Sequence, residues 1–342
     1  GRSISLRVAR VPAISVRKRP DPLFVLAGGP GMAATDFYVA AAPVFARIRR
    51  DRDIVLVDQR GTGRSNPLTC ELDDQAMTEA SLAVVEDATR RCLEQLDRRA
   101  DVRFYTTSVA VRDLDRVRAA LGYERIDLYG VSYGTRVAQH YVRRFPQRAR
   151  AVVLDGVVSP QTVLGPALAL DAEKALQRIL TRCSLSPECK ARFADPRADY
   201  QAVRAQLAAR PVQVTLPDPQ TGMPRTLDFG PQQLAAVLRL QSYSDAQAAL
   251  MPLSLNLAQR DGNFQPLASQ FLVVTASVID SIAYGMHNSV ACSEDVALLD
   301  ATKIDSDKID PATLGEATLD TARIDRRALE ATYMGVSQLD AL

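Results

Sequence analysis

Residues 1–157 predict an α/β fold, a mainly parallel sheet with helices on both faces, and residues 158–342 predict a mostly helical cap that begins to return to the core at its end. Three observations carry this reading. Short apolar runs alternate with helix-length segments through the first half of the chain. One such run ends in Gly130-Val131-Ser132-Tyr133-Gly134, a G-x-S-x-G sequence placed between an apolar run and a helix-like stretch. From Val157 onward the pattern turns helical, interrupted by one hairpin.

Taken in order, strands are expected at 3–9, where Ile4, Leu6 and Val8 give a strand-like pattern, and at 22–27, 53–58, 126–131 and 151–156, the sheet strands being short runs of the kind that is buried. Helices are expected near 36–50, 73–97, 107–121 and 134–145. The second part predicts helices over 167–181, 198–208, 231–240, 245–257 and 267–284. Its hairpin runs from an alternating Val212–Leu216, through the turn residues Asp218-Pro219-Gln220-Thr221-Gly222, to Arg225–Leu227. A helical insertion at this point would cover the nucleophile, exclude water and set substrate length.

The G-x-S-x-G sequence matters because of what its residue types permit. A sharp strand-to-helix turn leaves the Ser132 hydroxyl exposed, and the flanking glycines let strand and helix pass closely. Ser132 is therefore the candidate nucleophile. Upstream, Phe24–Ala27 runs into Gly28-Gly29-Pro30-Gly31, a loop whose backbone can approach a substrate carbonyl. The amides of Gly29 and Tyr133 are the candidate oxyanion-hole donors. The run Ile54–Val57 ends in Asp58-Gln59-Arg60-Gly61-Thr62-Gly63-Arg64-Ser65. No helix opens directly behind it and no G-K-[ST] follows, so a phosphate cradle fits poorly. Asp58 and Arg60 are expected to pair with each other at the rim of the site.

The order Gly-Gly-Pro-Gly, then Asp-Gln-Arg-Gly-Thr-Gly-Arg-Ser, then Gly-Val-Ser-Tyr-Gly-Thr resembles the proline iminopeptidase and tripeptidyl-aminopeptidase group of α/β hydrolases, over about residues 1–300. The stretch Gly285–Asp295 resembles part of that group's cap. The resemblance implies an α/β-hydrolase fold and hydrolysis at the amino end of a peptide through an acyl-enzyme, or of a related ester or amide. An aminopeptidase must hold a protonated amine. Glu294 and Asp295 are the candidate carboxylates, the alternative being an acid pair that complements a helix N-terminus.

The chain departs from the resembling group in its acid and base. In this fold the triad runs Ser, then Asp or Glu, then His. The chain has two histidines. His140, on the helix after Ser132, should lie roughly 12 Å along the axis from it, and His287 falls in the expected cap. Asp155, at a strand tip, is a weaker candidate acid. Neither the late strand–Asp loop nor the late strand–His turn of the group occurs, and residues 327–342 resemble its sequence shortly before them. The expectation is a trimmed piece of a longer protein that lacks the last core strands, with the catalytic acid and histidine outside it and little activity of its own.

Five cysteines are present. The spacings suit local disulfides Cys70–Cys92 and Cys183–Cys189, leaving Cys292 odd. That pattern favours a secreted or periplasmic protein; five reduced thiols in the cytoplasm are the alternative. Net charge is +2, with arginines spread among acids, which argues against a nucleic-acid face. No apolar run is long enough to span a bilayer. No metal-ligand cluster or cofactor motif stands out. The late acids Asp305, Asp307, Asp310, Asp320 and Asp325 lack the spacing of a calcium loop and read as solvated surface. The expected partner is a peptide or a small ester or amide substrate. A carboxylesterase-type enzyme and a non-catalytic peptide-binding relative are the competing classes.

Overall fold

The computed structural model describes residues 3–70, 82–163 and 166–296. The acidic stretch from Asp305 to Asp325 and residues 327–342 lie outside the described residues. The chain divides into two units: Gly1–Glu71 with Ala88–Thr162 and Asp280–Leu299, and Leu72–Asp87 with Val163–Ile279 and Asp300–Leu342. In this division residues 88–162 and 280–296 group with the sheet.

The first unit is built on five strands: β1 (Val8–Val11), β2 (Leu23–Leu26), β3 (Ile54–Val57), β4 (Ile126–Val131) and β5 (Ala149–Asp155). Their order is β1-β3-β2-β4-β5; β1 runs antiparallel to β3 and every other pair is parallel. β2 and β3 are buried throughout, which explains why Leu-Phe-Val-Leu and Ile-Val-Leu-Val are unbroken apolar runs. Each such side chain contributes about 1.5–3 kcal/mol on leaving water. β5 is the last strand of the described sheet, and Val152 and Val153 on it are 38% and 52% exposed.

Helices α1 (Ala34–Ala41), α2 (Leu82–Asp97), α3 (Thr107–Ala120) and α4 (Tyr133–Arg144) follow the expected positions. The helix expected over 36–50 breaks at 41. Pro43 cannot continue the α-helical ladder, and short 3₁₀ turns at Ala42–Phe45 and Ile48–Arg50 take its place. β1 starts at Val8 rather than at residue 3 because its ladder with β3 begins at Val8–Val57. Cys70 and Cys92 are joined with a Cα–Cα distance of 5.2 Å.

The second unit packs α5 (Pro166–Leu185), α6 (Pro187–Arg192) and α7 (Pro196–Ala209) with the hairpin β6 (Val212–Pro217) and β7 (Pro224–Phe229). The helices α8 (Pro231–Gln241), α9 (Asp245–Ala248), α10 (Met251–Asp261) and α11 (Gln265–Ser281) follow. Tyr200, Val203, Leu207, Phe229, Val237, Met251, Leu255 and Leu267 form its own core. The second disulfide, Cys183–Cys189, closes the loop between α5 and α6 with Cα atoms 5.2 Å apart, and Cys292 is free and exposed.

The chain then re-enters the first unit. The helix expected over 267–284 ends at Ser281 because Ile282 forms a β-bridge with Met32 and the Ala283 N–H donates to the Gly31 carbonyl, 3.0 Å. α12 (Tyr284–Val290) follows, then a π-helical turn over Ala291–Asp295. Met286 and Val290 are fully buried in the core beneath the sheet.

Candidate active site

Ser132 joins the end of β4 to the start of α4 with φ 53° and ψ −122°. Left-handed φ at a residue with a Cβ costs about 1–3 kcal/mol and persists only where the surroundings impose it. Here they do. The Ser132 N–H donates to the Asp155 carbonyl at 2.9 Å. The Ser132 carbonyl accepts from the Thr135 N–H at 2.9 Å and from Thr135 Oγ1 at 2.6 Å. Ser132 itself is exposed while Tyr133, Gly134, Thr135 and Arg136 are buried. The two flanking glycines answer to close approach: a Cβ on Gly130 would run into the Gly134 carbonyl, and one on Gly134 into the Leu26 carbonyl.

The loop after β2 lies beside the serine. A Cβ on Gly28 would sit 3.2 Å from Ser132 Cβ and 3.7 Å from its Oγ. Gly29 and Gly31 have φ of 105° and 111°, which a side chain would oppose. Tyr133 is the first residue of α4, so its N–H has no acceptor within the helix. The loop is held from behind by Ala283 and by His287, whose Nδ1 lies 3.2 Å from the Pro30 carbonyl.

Asp58 and Arg60 are both engaged, but not with each other, which corrects the expected pair. Asp58 is 1% exposed and accepts from the Thr35 N–H at 3.0 Å and Thr35 Oγ1 at 2.9 Å, capping α1, whose own N-cap residue is Ala33. Arg60 forks onto Asp113 at 2.6 and 2.8 Å. The reason is that β3 ends at Val57 and the chain turns at Arg60, so each side chain finds its partner on another element, Asp58 at the start of α1 and Arg60 on α3.

The candidate amine-binding acids, Glu294 half-buried and Asp295 buried, each have a partner on another element. Glu294 accepts from the Thr107 N–H at 2.5 Å and Thr107 Oγ1 at 2.8 Å. Asp295 accepts from Arg136 Nη1 at 3.0 Å, and both side chains of this pair are at most 2% exposed. Removing one partner of such a buried pair costs about 3–5 kcal/mol. Asp155 accepts from Tyr129 Oη at 2.6 Å. His140 sits half-buried on α4, and burial, opposed in part by Glu294, lowers its pKa. Among the described residues the Ser132 hydroxyl makes no hydrogen bond, to either histidine or to any other group.

Sequence reasoning missed Thr107, Gln59 and Arg136. Arg136 carried a signal: a charge beside Val137, Ala138 and Tyr141 on one buried face demands an acid. Nothing in the sequence says that the acid lies at position 295.

Residues 21–181 match the family model described as alpha/beta hydrolase fold. The serine protease Hip1 of Mycobacterium tuberculosis is 34% identical over 175 residues, covering 46% of this chain and 32% of that protein. The tripeptidyl aminopeptidase of Streptomyces coelicolor is 34% identical over 177 residues, covering 47% of this chain and 32% of that protein. Carboxylesterase B of M. tuberculosis is 32% identical over 177 residues, covering 47% of this chain and 34% of that protein. The chain thus spans about one third of the length of these relatives. With the parallel strand order and the Ser132 turn, the family match shows that this chain carries an α/β-hydrolase fold.

Proposed function

We propose that the protein containing this chain is a serine hydrolase, most simply an aminopeptidase that releases amino-terminal residues or short peptides through an acyl-enzyme on Ser132. The observation that carries this reading is the exposed serine held at φ 53° between β4 and α4. Ser132 Oγ attacks the carbonyl carbon and passes its proton to a base. The amides of Gly29 and Tyr133 receive the oxyanion. The intermediate collapses with loss of the protonated amine, and water then cleaves the ester. The base is assigned outside residues 1–342, whose two histidines are His140 and His287.

Relatives named serine protease and tripeptidyl aminopeptidase support the peptidase reading, and one named carboxylesterase favours an esterase as the second. The two disulfides support an oxidising compartment, secreted or periplasmic. Among the described residues no helix is long and apolar enough to cross a membrane. The test is a matched pair of peptide substrates, one with a free amine and one N-acetylated. An aminopeptidase cleaves the first about tenfold better or more by kcat/KM. Equal rates, together with faster turnover of a simple acyl ester, would make it an esterase, and unchanged rates in Ser132→Ala would remove both readings.

A further inference from the structure

Beside the nucleophile turn, four side chains, the central Thr107 and Tyr133 buried and Gln59 and Glu294 half-buried, form one directed line of hydrogen bonds. Gln59 Nε2 donates to Tyr133 Oη at 3.2 Å. Tyr133 Oη and Thr107 Oγ1 are 2.6 Å apart. Thr107 Oγ1 donates to Glu294 at 2.8 Å, and the Thr107 N–H donates to the other carboxylate oxygen at 2.5 Å. A threonine hydroxyl has one proton. Since that proton goes to the carboxylate, the tyrosine must donate to Thr107 and accept from Gln59. The direction is therefore fixed from end to end, each bond polarising the next toward the charge of Glu294. Burial, and next the negative charge of Glu294, raises the Tyr133 pKa, so the phenol stays a donor.

Tyr133 contributes two things at once: its ring, 2% exposed, anchors this line, and its backbone N–H opens α4 directly after Ser132. We infer that Glu294 is a positioning residue that acts through Thr107 and the Tyr133 ring to hold the Tyr133 amide on the oxyanion. This rests on the serine-hydrolase reading. It assigns Glu294 to the transition state and not to the substrate's amine. The line also ties three separate elements, the loop after β3, the start of α3 and the π-helical turn, to a single peptide unit. A displacement of that unit by a few tenths of an ångström weakens a bond made only when charge develops on the substrate oxygen.

The experiment uses the whole protein, with any sequence outside residues 1–342 included. kcat and KM are measured with a free-amine peptide substrate, and affinity is measured for a peptide boronate that forms a tetrahedral adduct on the serine. The variants are Glu294→Ala, Glu294→Gln, Tyr133→Phe and the double variant Glu294→Ala/Tyr133→Phe. In Glu294→Ala, kcat and boronate affinity should fall together by about tenfold or more while KM stays within about twofold. Glu294→Gln, which keeps an acceptor, should recover most of the loss. Tyr133→Phe should fall similarly, and the double variant no further than the worse single one, because both cut one line. Should Glu294→Ala fail to fold, Tyr133→Phe alone decides. Unchanged boronate affinity in Tyr133→Phe, or fully multiplicative losses in the double variant, would overturn the inference. So would a rise in KM confined to free-amine substrates, which would return Glu294 to amine recognition. Ser132→Ala, measured alongside, tests the underlying reading separately: if it retains hydrolysis, Ser132 is not the nucleophile, whatever Glu294 does.

Discussion

At Ser132 and its two glycines the sequence motif becomes a set of distances. Gly134 lies so close to the end of β2 that an added Cβ would collide with the carbonyl oxygen of Leu26 and crowd that of Ala27 at 2.7 Å. Backbone cannot step aside as a flexible side chain can. Gly134→Ala is therefore expected to destabilise the fold by about 1–3 kcal/mol, seen as a lower denaturant midpoint at unchanged slope. Gly122→Ala is the contrasting control for space, since nothing lies within 4 Å of its Cβ position, although its φ of 76° still strains the substitution. His140 gives a pH signature at the same scale. Burial lowers its native pKa below the unfolded value near 6.5. The unfolded chain takes up a proton below about pH 6.5 while the native histidine resists it, so this contribution to stability is present above that pH and is lost as pH falls toward the native pKa. His140→Gln should flatten the stability profile on the acid side of pH 6.5; an unchanged slope would show that His140 is not the group responsible.

At the scale of elements, the two disulfides divide by loop length. Cys70–Cys92 spans 22 residues and Cys183–Cys189 spans 6. Chain entropy makes the first worth about 3 kcal/mol and the second about 2 kcal/mol. Thermal unfolding of Cys70→Ala/Cys92→Ala and Cys183→Ala/Cys189→Ala double variants should show the larger loss in the first, and the reverse order would refute the entropic account. Both pairings were legible in the sequence, because local spacing limits what a cysteine can reach. The strands were legible too: β2 and β3 are apolar runs whose burial on both faces leaves no room for alternation, and β4, Ile-Asp-Leu-Tyr-Gly-Val, is marked by the G-x-S-x-G sequence at its end. The destiny of residues 282–295 was not. As sequence, this stretch continues the helical pattern of the second unit. It belongs to the sheet because Ile282 and Ala283 bond to Met32 and Gly31, and Gly285 packs against the Leu68 carbonyl, about 217 positions away in the chain. Long-range partners of this kind leave no local trace. For the same reason the partners of the acids at 294 and 295, Thr107 and Arg136, could not be read from the sequence.

At the scale of the whole molecule, the fold was predictable from three motifs in chain order, since a strand, a glycine loop and a strand–Ser–helix turn leave few ways to assemble a parallel sheet. The catalytic machinery was legible only in part. The proposed nucleophile and oxyanion donors are local features of the chain, whereas an acid and base would be joined to them by tertiary structure. Two histidines exist in the chain, and neither bonds the Ser132 hydroxyl in the described residues. The most direct test of the central claim is the site and rate of covalent labelling by a fluorophosphonate, mapped by peptide mass spectrometry on the whole protein and on residues 1–342 alone. The account predicts a single adduct on Ser132 in the whole protein, abolished in Ser132→Ala, and labelling of residues 1–342 slower by about 10²-fold or more for want of a general base. An adduct elsewhere with Ser132 unmodified would contradict the assignment of the nucleophile. Equally fast labelling of residues 1–342 would contradict the assignment of the base outside them and move His287 to that role.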